Sequence, residues 1–210
     1  VYIQYPGKGG VQLKHYWWRK FLYGWKFDGM RLFLSSYPTA ESRILFHRQI
    51  EDRVRTLAPF LKFDDDPYIV LADGRLYWII DAYTTTRYYP YSERFTGMKA
   101  DSSQNIRQLI PARRPEKHEF SNINYVRNSV KAVVDAFHGS VTFYVFEDTD
   151  PIVQTWCGIF PELFRDRQDM PPALAAHVRY PKDMLLMQGL VYSKYHMTDP
   201  TVFYNQEDLW

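Results

Sequence analysis

The sequence has little cysteine, no long apolar run and no marked excess of either charge. Cys157 is its one cysteine, so no disulfide forms within the chain, and an oxidising compartment is neither required nor excluded. No run of 18 apolar residues and no signal-peptide pattern is visible, so we do not expect these 210 residues to span a membrane. The 26 basic residues nearly balance the 24 acidic ones, which argues against nucleic acid as a partner.

Familiar catalytic motifs are missing as well. The sequence has no phosphate-binding loop, no dinucleotide fingerprint and no nucleophile elbow, and its six histidines show no zinc-ligand spacing. The acidic run "KFDDDP" (residues 62–67) lacks the alternating ligands and the glycine of a calcium loop, so we predict a solvated run there. The sequence therefore does not identify a cofactor, and whether the protein uses one is unknown.

Aromatic side chains are what the sequence has in excess: 17 Tyr, 14 Phe and 6 Trp. Trp and Tyr bury a large area, but each needs a partner for one polar atom. Such a chain has either a broad, partly wet core or an aromatic surface used for contact. With 46% hydrophobic residues, we expect a single folded domain over residues 1–210.

Helical patterns lie before and after the predicted strands. Apolar residues recur every four positions over 11–27, and a second helix is predicted from Thr39 to Leu57. The repeated "TDP" at Asp150 and Asp199 has the chemistry of a helix start, with aspartate as N-cap and proline in the first turn. A helix over 181–196 is expected to bury five apolar residues: Met184, Leu185, Val191, Tyr192 and Tyr195.

Two β-hairpins are predicted between these helices. Asp73-Gly74 favours a tight turn between strands over 68–71 and 76–86, and Gly139 marks a second turn between strands over 129–137 and 141–147. Because both pairs are hairpin-linked, the sheet should be antiparallel. The sequence therefore predicts an α+β fold with an antiparallel sheet of four or more strands and helices on both sides of it in sequence.

A long segment without periodicity, residues 87–124, joins the two hairpins. It carries seven basic residues against four acidic ones. Irregular loops of this length are lids, binding loops or disordered segments. The alternative is a mobile excursion that has no role.

The most specific internal match is between "IIDAY" and "VVDAF", which place Asp81 and Asp135 in the middle of two strands. In a simple meander these strands are neighbours, and the two aspartates lie opposite or one diagonal apart. Two close carboxylates hold a cation or do acid–base work. In the simpler alternative, each aspartate pairs with a base such as Lys131, Arg75 or Arg127, or caps loop amides.

Three threonines and an arginine extend the strand that contains Asp81. The hydroxyls of Thr84 and Thr86 and the guanidinium of Arg87 are candidates to line a polar groove, and Arg87 is followed by tyrosines on which it can stack. With Asp81 and Asp135 they form the set of candidate ligand-binding residues, and the two aspartates are the candidates for a metal. No catalytic residue is assigned. The alternative is a half-exposed strand end without a ligand.

Four stretches of the sequence resemble the bacterial uncharacterised protein family 0182. They begin "GGVQL" at Gly9, "SRILFHRQIEDRV" at Ser42, "INYVRNSVKAVVDAF" at Ile123 and "YHMTDPTVFYNQEDLW" at Tyr195. The resemblance implies a slice of the extracytoplasmic region of a large membrane protein, whose membrane-spanning helices lie N-terminal to it. The implied partner is the rest of that protein, with membrane contact through the missing N-terminal part alone. The family has no established activity, so no site residue is carried over.

Three functions stay open on this evidence. The first is an extracytoplasmic ligand-binding or sensor-like domain, which accords with fold-level analogy alone. The second is a structural or assembly domain that uses its aromatic surface for protein or envelope contact. The third is a metal-dependent hydrolase, which requires the carboxylates of Asp81 and Asp135 to lie close together.

Overall fold

The computed structural model describes residues 5–14, 16–28, 31–95, 120, 122–205 and 207. The strands in this part of the chain are β1 (Val11–Gln12), β2 (Arg43–Ile44), β3 (Lys62–Phe63), β4 (Tyr68–Ala72), β5 (Arg75–Thr86), β6 (Tyr125–Asp135), β7 (Val141–Val145) and β8 (Phe164–Asp166). The helices are α1 (Tyr16–Tyr23), α2 (Arg31–Leu34), α3 (Ile50–Leu57), α4 (Pro151–Ile159), α5 (Pro172–Ala175), α6 (Lys182–Tyr195) and α7 (Pro200–Asn205). A π-helical turn, Gly24–Asp28, extends α1, and a 3-10 turn, Arg167–Asp169, follows β8.

Six of the strands form one sheet, in which the long strands β5 and β6 pair at the centre. β3 and β4 pair with the outer edge of β5, β7 pairs with β6, and β8 adds to β7. All pairs are antiparallel except β7 with β8, which is parallel. The predicted α+β fold, with two hairpins in an antiparallel sheet and helices before and after it, is confirmed.

Both predicted hairpins are present. Asp73 and Gly74 have φ angles of 49° and 72°, as a tight turn with two left-handed residues requires. The second turn also uses a left-handed glycine, Gly139 with φ 70°. Here β6 ends at Asp135, two residues before the predicted end, because the Asp135 carboxylate accepts the backbone N–H groups of Phe137 and His138 and turns the chain.

The first two predicted helices are shorter than the patterns indicated. Residues 11–12 form β1, which pairs with β2, and α1 begins at Tyr16. The helix start predicted at Thr39 is wrong, because the Thr39 N–H donates to the Ser42 hydroxyl at 2.9 Å within a local turn. The helix that follows, α3, begins only at Ile50.

The two faces of the sheet pack against different helices. On one face, Val54 of α3 and Val153 of α4 cover the apolar residues of the central strands. On the other face, Leu174 of α5 packs beside Met170, and Met184 and Met187 of α6 contact Tyr83. Residues 79–84 of β5 and 129–135 of β6 are buried, so the polar side chains in these parts of the two strands lie in the interior.

The helix predicted over 181–196 is confirmed as α6, but most of its predicted burial is wrong. Met184 is buried as expected, and Met187 lies beside it. Four residues that were expected in the core are exposed instead: Leu185, Val191, Tyr192 and Tyr195. No helix in the described residues is both long enough and apolar enough to cross a membrane.

Most of the predicted excursion, 87–124, lies outside the described residues. Its described beginning is fastened to the start of β6 by the Asn124 side chain, which accepts from the Tyr89 N–H at 3.0 Å and donates to the Tyr89 carbonyl at 2.7 Å. The Tyr89 ring also stacks on Tyr125. The segment therefore leaves β5 along a fixed path.

Replacement of Gly74 by alanine tests the turn geometry. An added Cβ meets no atom within 4 Å at Gly74 or at Gly158, near the end of α4, but only Gly74 of the two has a left-handed φ. We expect Gly74→Ala to lower the free energy of unfolding by about 1 kcal/mol through backbone strain. Urea denaturation measures this change.

Gly158→Ala is the matched control. It should leave the stability unchanged or raise it by up to about 1 kcal/mol, because alanine favours a helix over glycine. Equal effects at the two positions would contradict the left-handed turn.

Candidate functional site

A bulge in the pairing of β5 with β6 organises the polar interior. The register passes from Ala82 opposite Val130 to Thr84 opposite Arg127, so two β6 residues, Asn128 and Ser129, stand opposite Tyr83. The bulge sends the Ser129 side chain to the face covered by α4 and the Asn128 side chain to the face covered by α6. A polar network lies on each face at this point.

The first network is centred on Asp150, which is fully buried. As N-cap of α4, its carboxylate accepts the Ile152 N–H at 3.0 Å. It also accepts the hydroxyls of Tyr125, at 2.7 Å, Ser129, at 2.5 Å, and Thr84. One carboxylate thus joins the helix start to both central strands.

These hydrogen bonds decide the charge state of Asp150. Burial favours the neutral acid, but the bonds from Ser129, Thr84, Tyr125 and the Ile152 amide outweigh it and hold the pKa of Asp150 below its ordinary value. Burial and the bond to Asp150 together raise the pKa of Tyr125 to about 12. The network therefore holds a carboxylate and neutral hydroxyls, which suits a structural cap.

The second network is a buried ion pair between Lys131 and Asp81 on the other face. The Lys131 ammonium also donates to the Asn128 side chain at 2.6 Å and to the Arg179 carbonyl at 3.2 Å. Burial raises the pKa of Asp81, and the charge of Lys131 opposes this rise. These three protein acceptors use all three ammonium protons, so Lys131 has none left to donate to a ligand.

Asp64 is the second buried acid on this face, and its position corrects the prediction of a solvated run over 62–67. It is 2% exposed. Its carboxylate accepts the Tyr83 hydroxyl at 2.5 Å, the Asp66 N–H at 2.9 Å and the Asp183 N–H at 3.3 Å. Asp64 therefore ties the β3–β4 loop to β5 and to the first turn of α6.

Asp183 faces this loop with its own carboxylate. Burial, followed by the nearby carboxylates of Asp64 and Asp65, raises the pKa of Asp183 to about 6. A hydrogen bond from the backbone N–H of Asp65 and the charge of Lys182 lower the pKa of Asp183, but they do not cancel the rise. The contact between α6 and the β3–β4 loop therefore contains a group that titrates near neutral pH.

Asp81 and Asp135 do not meet. Asp81 lies opposite Lys131, and Asp135 lies opposite Tyr77, four residues further along β6. At the usual rise of a strand this separates the two positions by about 13 Å. The expectation of a facing or diagonal pair is wrong, because the register offsets the two similar pentapeptides, and the pair cannot act jointly on one cation or one bond.

The simpler alternative for the two aspartates is confirmed. Asp81 pairs with Lys131, and Asp135 pairs with Arg75 at 3.1 Å while it accepts the amides of the β6–β7 turn. Thr84 is committed to Asp150. Among the residues that the structure describes, no three His, Cys, Asp or Glu side chains are grouped to hold a metal ion.

The other two candidates, Thr86 and Arg87, lie apart from the aspartates in an open cleft of about 440 Å³ at the end of β5. The cleft is lined by Lys62, Thr85, Thr86, Arg87, Tyr88, Asn122 and Ile123. Arg87 stacks over the Tyr88 ring, 5.0 Å from its centroid. The five candidates therefore lie in separate places. Asp81 and Thr84 belong to the interior networks, Asp135 to the β6–β7 turn, and Thr86 and Arg87 to this cleft.

The residues that sequence reasoning missed are Asp64, Ser129 and Asp183. A signal for Asp64 was present, because Phe63 before it continues an apolar pattern that a fully solvated run would not need. Ser129 carries no local signal, since its role depends on the bulge. Asp183 was visible only as an acid in a first helical turn.

The fold and these networks define an α+β protein whose central sheet is filled by its own side chains. The chain belongs to the Uncharacterised protein family (UPF0182), whose model matches residues 1–210. No solved structure matches the chain.

Relatives in the family are much longer than this chain. UPF0182 proteins of Sulfurovum sp. (strain NBC37-1) and Thermosynechococcus vestitus are 48% and 46% identical to it. One from Synechococcus sp. (strain JA-2-3B'a(2-13)) is 43% identical. Each match covers 100% of this chain but only 21–22% of the relative, so the chain spans about a fifth of their length.

The two "TDP" helix starts provide a matched test of the buried cap. Asp150→Ala removes the acceptor of three hydroxyls and an amide, and it should lower the free energy of unfolding by about 2–4 kcal/mol. Asp199→Ala removes an exposed cap that accepts amides of α7, and it should cost much less. Urea denaturation measures both, and equal losses would contradict the Asp150 network.

The raised pKa of Asp183 predicts a pH-dependent stability. Because the folded-state pKa of about 6 exceeds the ordinary value of 3.8, the folded chain binds this proton more tightly than the unfolded chain. The stabilisation is complete below pH about 4 and is lost as pH rises through about 6. The free energy of unfolding of wild type minus that of Asp183→Asn should therefore fall across this window.

Asp65→Asn sharpens the test, because it removes one of the two carboxylates that face Asp183. The pKa of Asp183 should then move towards its ordinary value, and the pH range over which the stability difference falls should narrow. A difference between wild type and Asp183→Asn that is constant with pH would contradict the contact.

Proposed function

We propose that this chain is an assembly domain: a rigid sheet that presents apolar helices to the rest of a longer protein. The observation that carries the proposal is the C-terminal apolar surface, formed by exposed residues of α6 and α7. Its members are Leu185, Leu186, Val191, Tyr192, Tyr195, Phe203 and Tyr204. Large apolar surfaces of this kind mark contact sites.

The way in which α6 is attached supports the proposal. Its first two turns are anchored by Met184 and Met187 and by the bond from the Asp183 amide to Asp64. Further along the helix Val191, Tyr192 and Tyr195 point to solvent. A helix that is anchored at one end and apolar at the other presents a surface for a partner.

The length of the relatives supports the choice of partner. About four-fifths of each long relative lies outside the matched part. Apolar surface between segments of one chain is buried without loss of translational freedom, so an intramolecular contact is favoured over association in solution. The rest of its own membrane protein, outside the cytoplasm, is the partner that the resemblance implies, and this placement stays a proposal.

A second candidate function is small-ligand or sensor-like binding in the cleft that contains Thr86 and Arg87. Lys62 and Arg87 line it, and a volume of about 440 Å³ lies in the usual range for ligand pockets. It ranks second because the cleft is open, and because Asp81, Thr84 and Asp135 are bound to other protein groups. A carboxylate or phosphate ligand suits these cations.

Cysteine labelling tests the assembly proposal. Tyr192→Cys, in a Cys157→Ser background, is made in the 210-residue chain and in a chimera in which this chain replaces the matching fifth of the Sulfurovum protein. We expect maleimide labelling at this position to be at least about tenfold slower in the chimera, because the partner covers it.

Tyr91→Cys is the matched control, because Tyr91 is an exposed residue of the β5–β6 connection. Its labelling rate should be similar in the two proteins. Equal rates for Tyr192→Cys in the chain and in the chimera would overturn the proposed contact.

A further inference from the structure

Helix α1 and the π-helical turn after it are oriented with their apolar side towards solvent. Trp17 and Trp25 are 66% and 76% exposed, and Trp18, Leu22 and Phe27 are also exposed. Lys20, in contrast, is 5% exposed and donates to the Ser35 carbonyl. A free surface helix shows the opposite arrangement. We call the five outward residues the N-terminal aromatic face.

The rings of this face are already ordered. Trp17 contacts Trp18 with ring centroids 5.3 Å apart, and Phe21 lies between Trp18 and Trp25 at 6.2 and 6.4 Å. Phe27 stacks on Tyr23 at 6.0 Å. A face held in this way loses little side-chain entropy when it is covered.

The segment that contains the face carries charge of one dominant sign. Residues 8–34 contain six basic residues, Lys8, Lys14, Arg19, Lys20, Lys26 and Arg31, and one acidic residue, Asp28. The whole chain has a net charge of only +2, so the other residues are net acidic. Lys14, Lys26 and Arg31 are exposed, and the Lys26 ammonium lies over the Phe27 ring, 5.4 Å from its centroid.

We propose that the N-terminal aromatic face binds the surface of a lipid bilayer that contains anionic headgroups. Tryptophan is favoured at the boundary between headgroups and acyl chains, because its ring is apolar and its N–H needs a polar partner. The basic residues beside it attract phosphate groups. This is the arrangement of a helix that lies in the membrane surface without crossing it.

The inference goes beyond the assembly function, and it uses a different surface. The C-terminal apolar surface has no comparable excess of basic residues, since α6 and α7 carry Lys182 and Lys194 with Asp183. It therefore suits a protein contact, whereas the N-terminal aromatic face suits lipid. Under this proposal the domain itself contacts the membrane, through the N-terminal aromatic face.

Vesicle co-sedimentation of the 210-residue chain tests the proposal. Vesicles of phosphatidylcholine with phosphatidylglycerol should bind the chain, and added salt should weaken the binding. Trp18→Ser/Trp25→Ser and Lys14→Glu/Lys26→Glu should each reduce the affinity at least about tenfold. Vesicles of phosphatidylcholine alone should bind much less.

Two matched controls distinguish binding through this face from non-specific apolar or electrostatic binding. Ile69→Ser/Leu71→Ser removes exposed apolar residues of β4, and Arg165→Glu/Arg167→Glu reverses two exposed charges near β8. Both controls should bind as wild type does. Absence of binding to anionic vesicles, or unchanged binding by both test variants, would overturn the proposal. So would self-association that Trp18→Ser/Trp25→Ser abolishes without any lipid binding, because the face would then join two copies.

Discussion

The pairing of β5 with β6, and the bulge within it, is the constraint on which the rest of the structure depends. Residues 79–84 of β5 and 129–135 of β6 are buried, so the polar side chains that they carry must find protein partners. The bulge provides these partners, because it sends Ser129 to one face and Asn128 to the other. Two elements are held next to the bulge: the start of α4, through Asp150, and the loop before α6, whose Arg179 carbonyl accepts from Lys131.

The completeness of the two networks bears on function. A ligand or catalytic site needs groups whose hydrogen-bonding capacity is free, whereas the carboxylates of Asp81, Asp135 and Asp150 are each satisfied by protein donors. Closed networks of this kind rigidify a core. In the part of the chain that the structure describes, the features open to a partner are therefore on the surface, in the exposed apolar helices and the cleft at the end of β5.

Local chemistry made much of the fold predictable. Asp73-Gly74 and the two "TDP" starts determine their own geometry through φ angles and capping, so the turn and the helix starts agree with expectation. The candidate site was harder to predict from the sequence, because it depends on the register between strands. The register of β5 against β6 decides that Asp81 faces Lys131 instead of Asp135, and no short stretch of sequence contains that register.

The orientation of α1 shows a further limit of sequence patterns. Periodicity identifies the apolar side of a helix but not what covers it, and a side that docks on a partner has the same pattern as one that enters the core. In this chain the structure decides which side is buried: Lys20 lies in the interior, where it donates to the Ser35 carbonyl, and the tryptophans lie outside. The buried lysine and the exposed Trp25 are thus two consequences of one arrangement, which presents the aromatic side of the helix for the membrane contact that we propose.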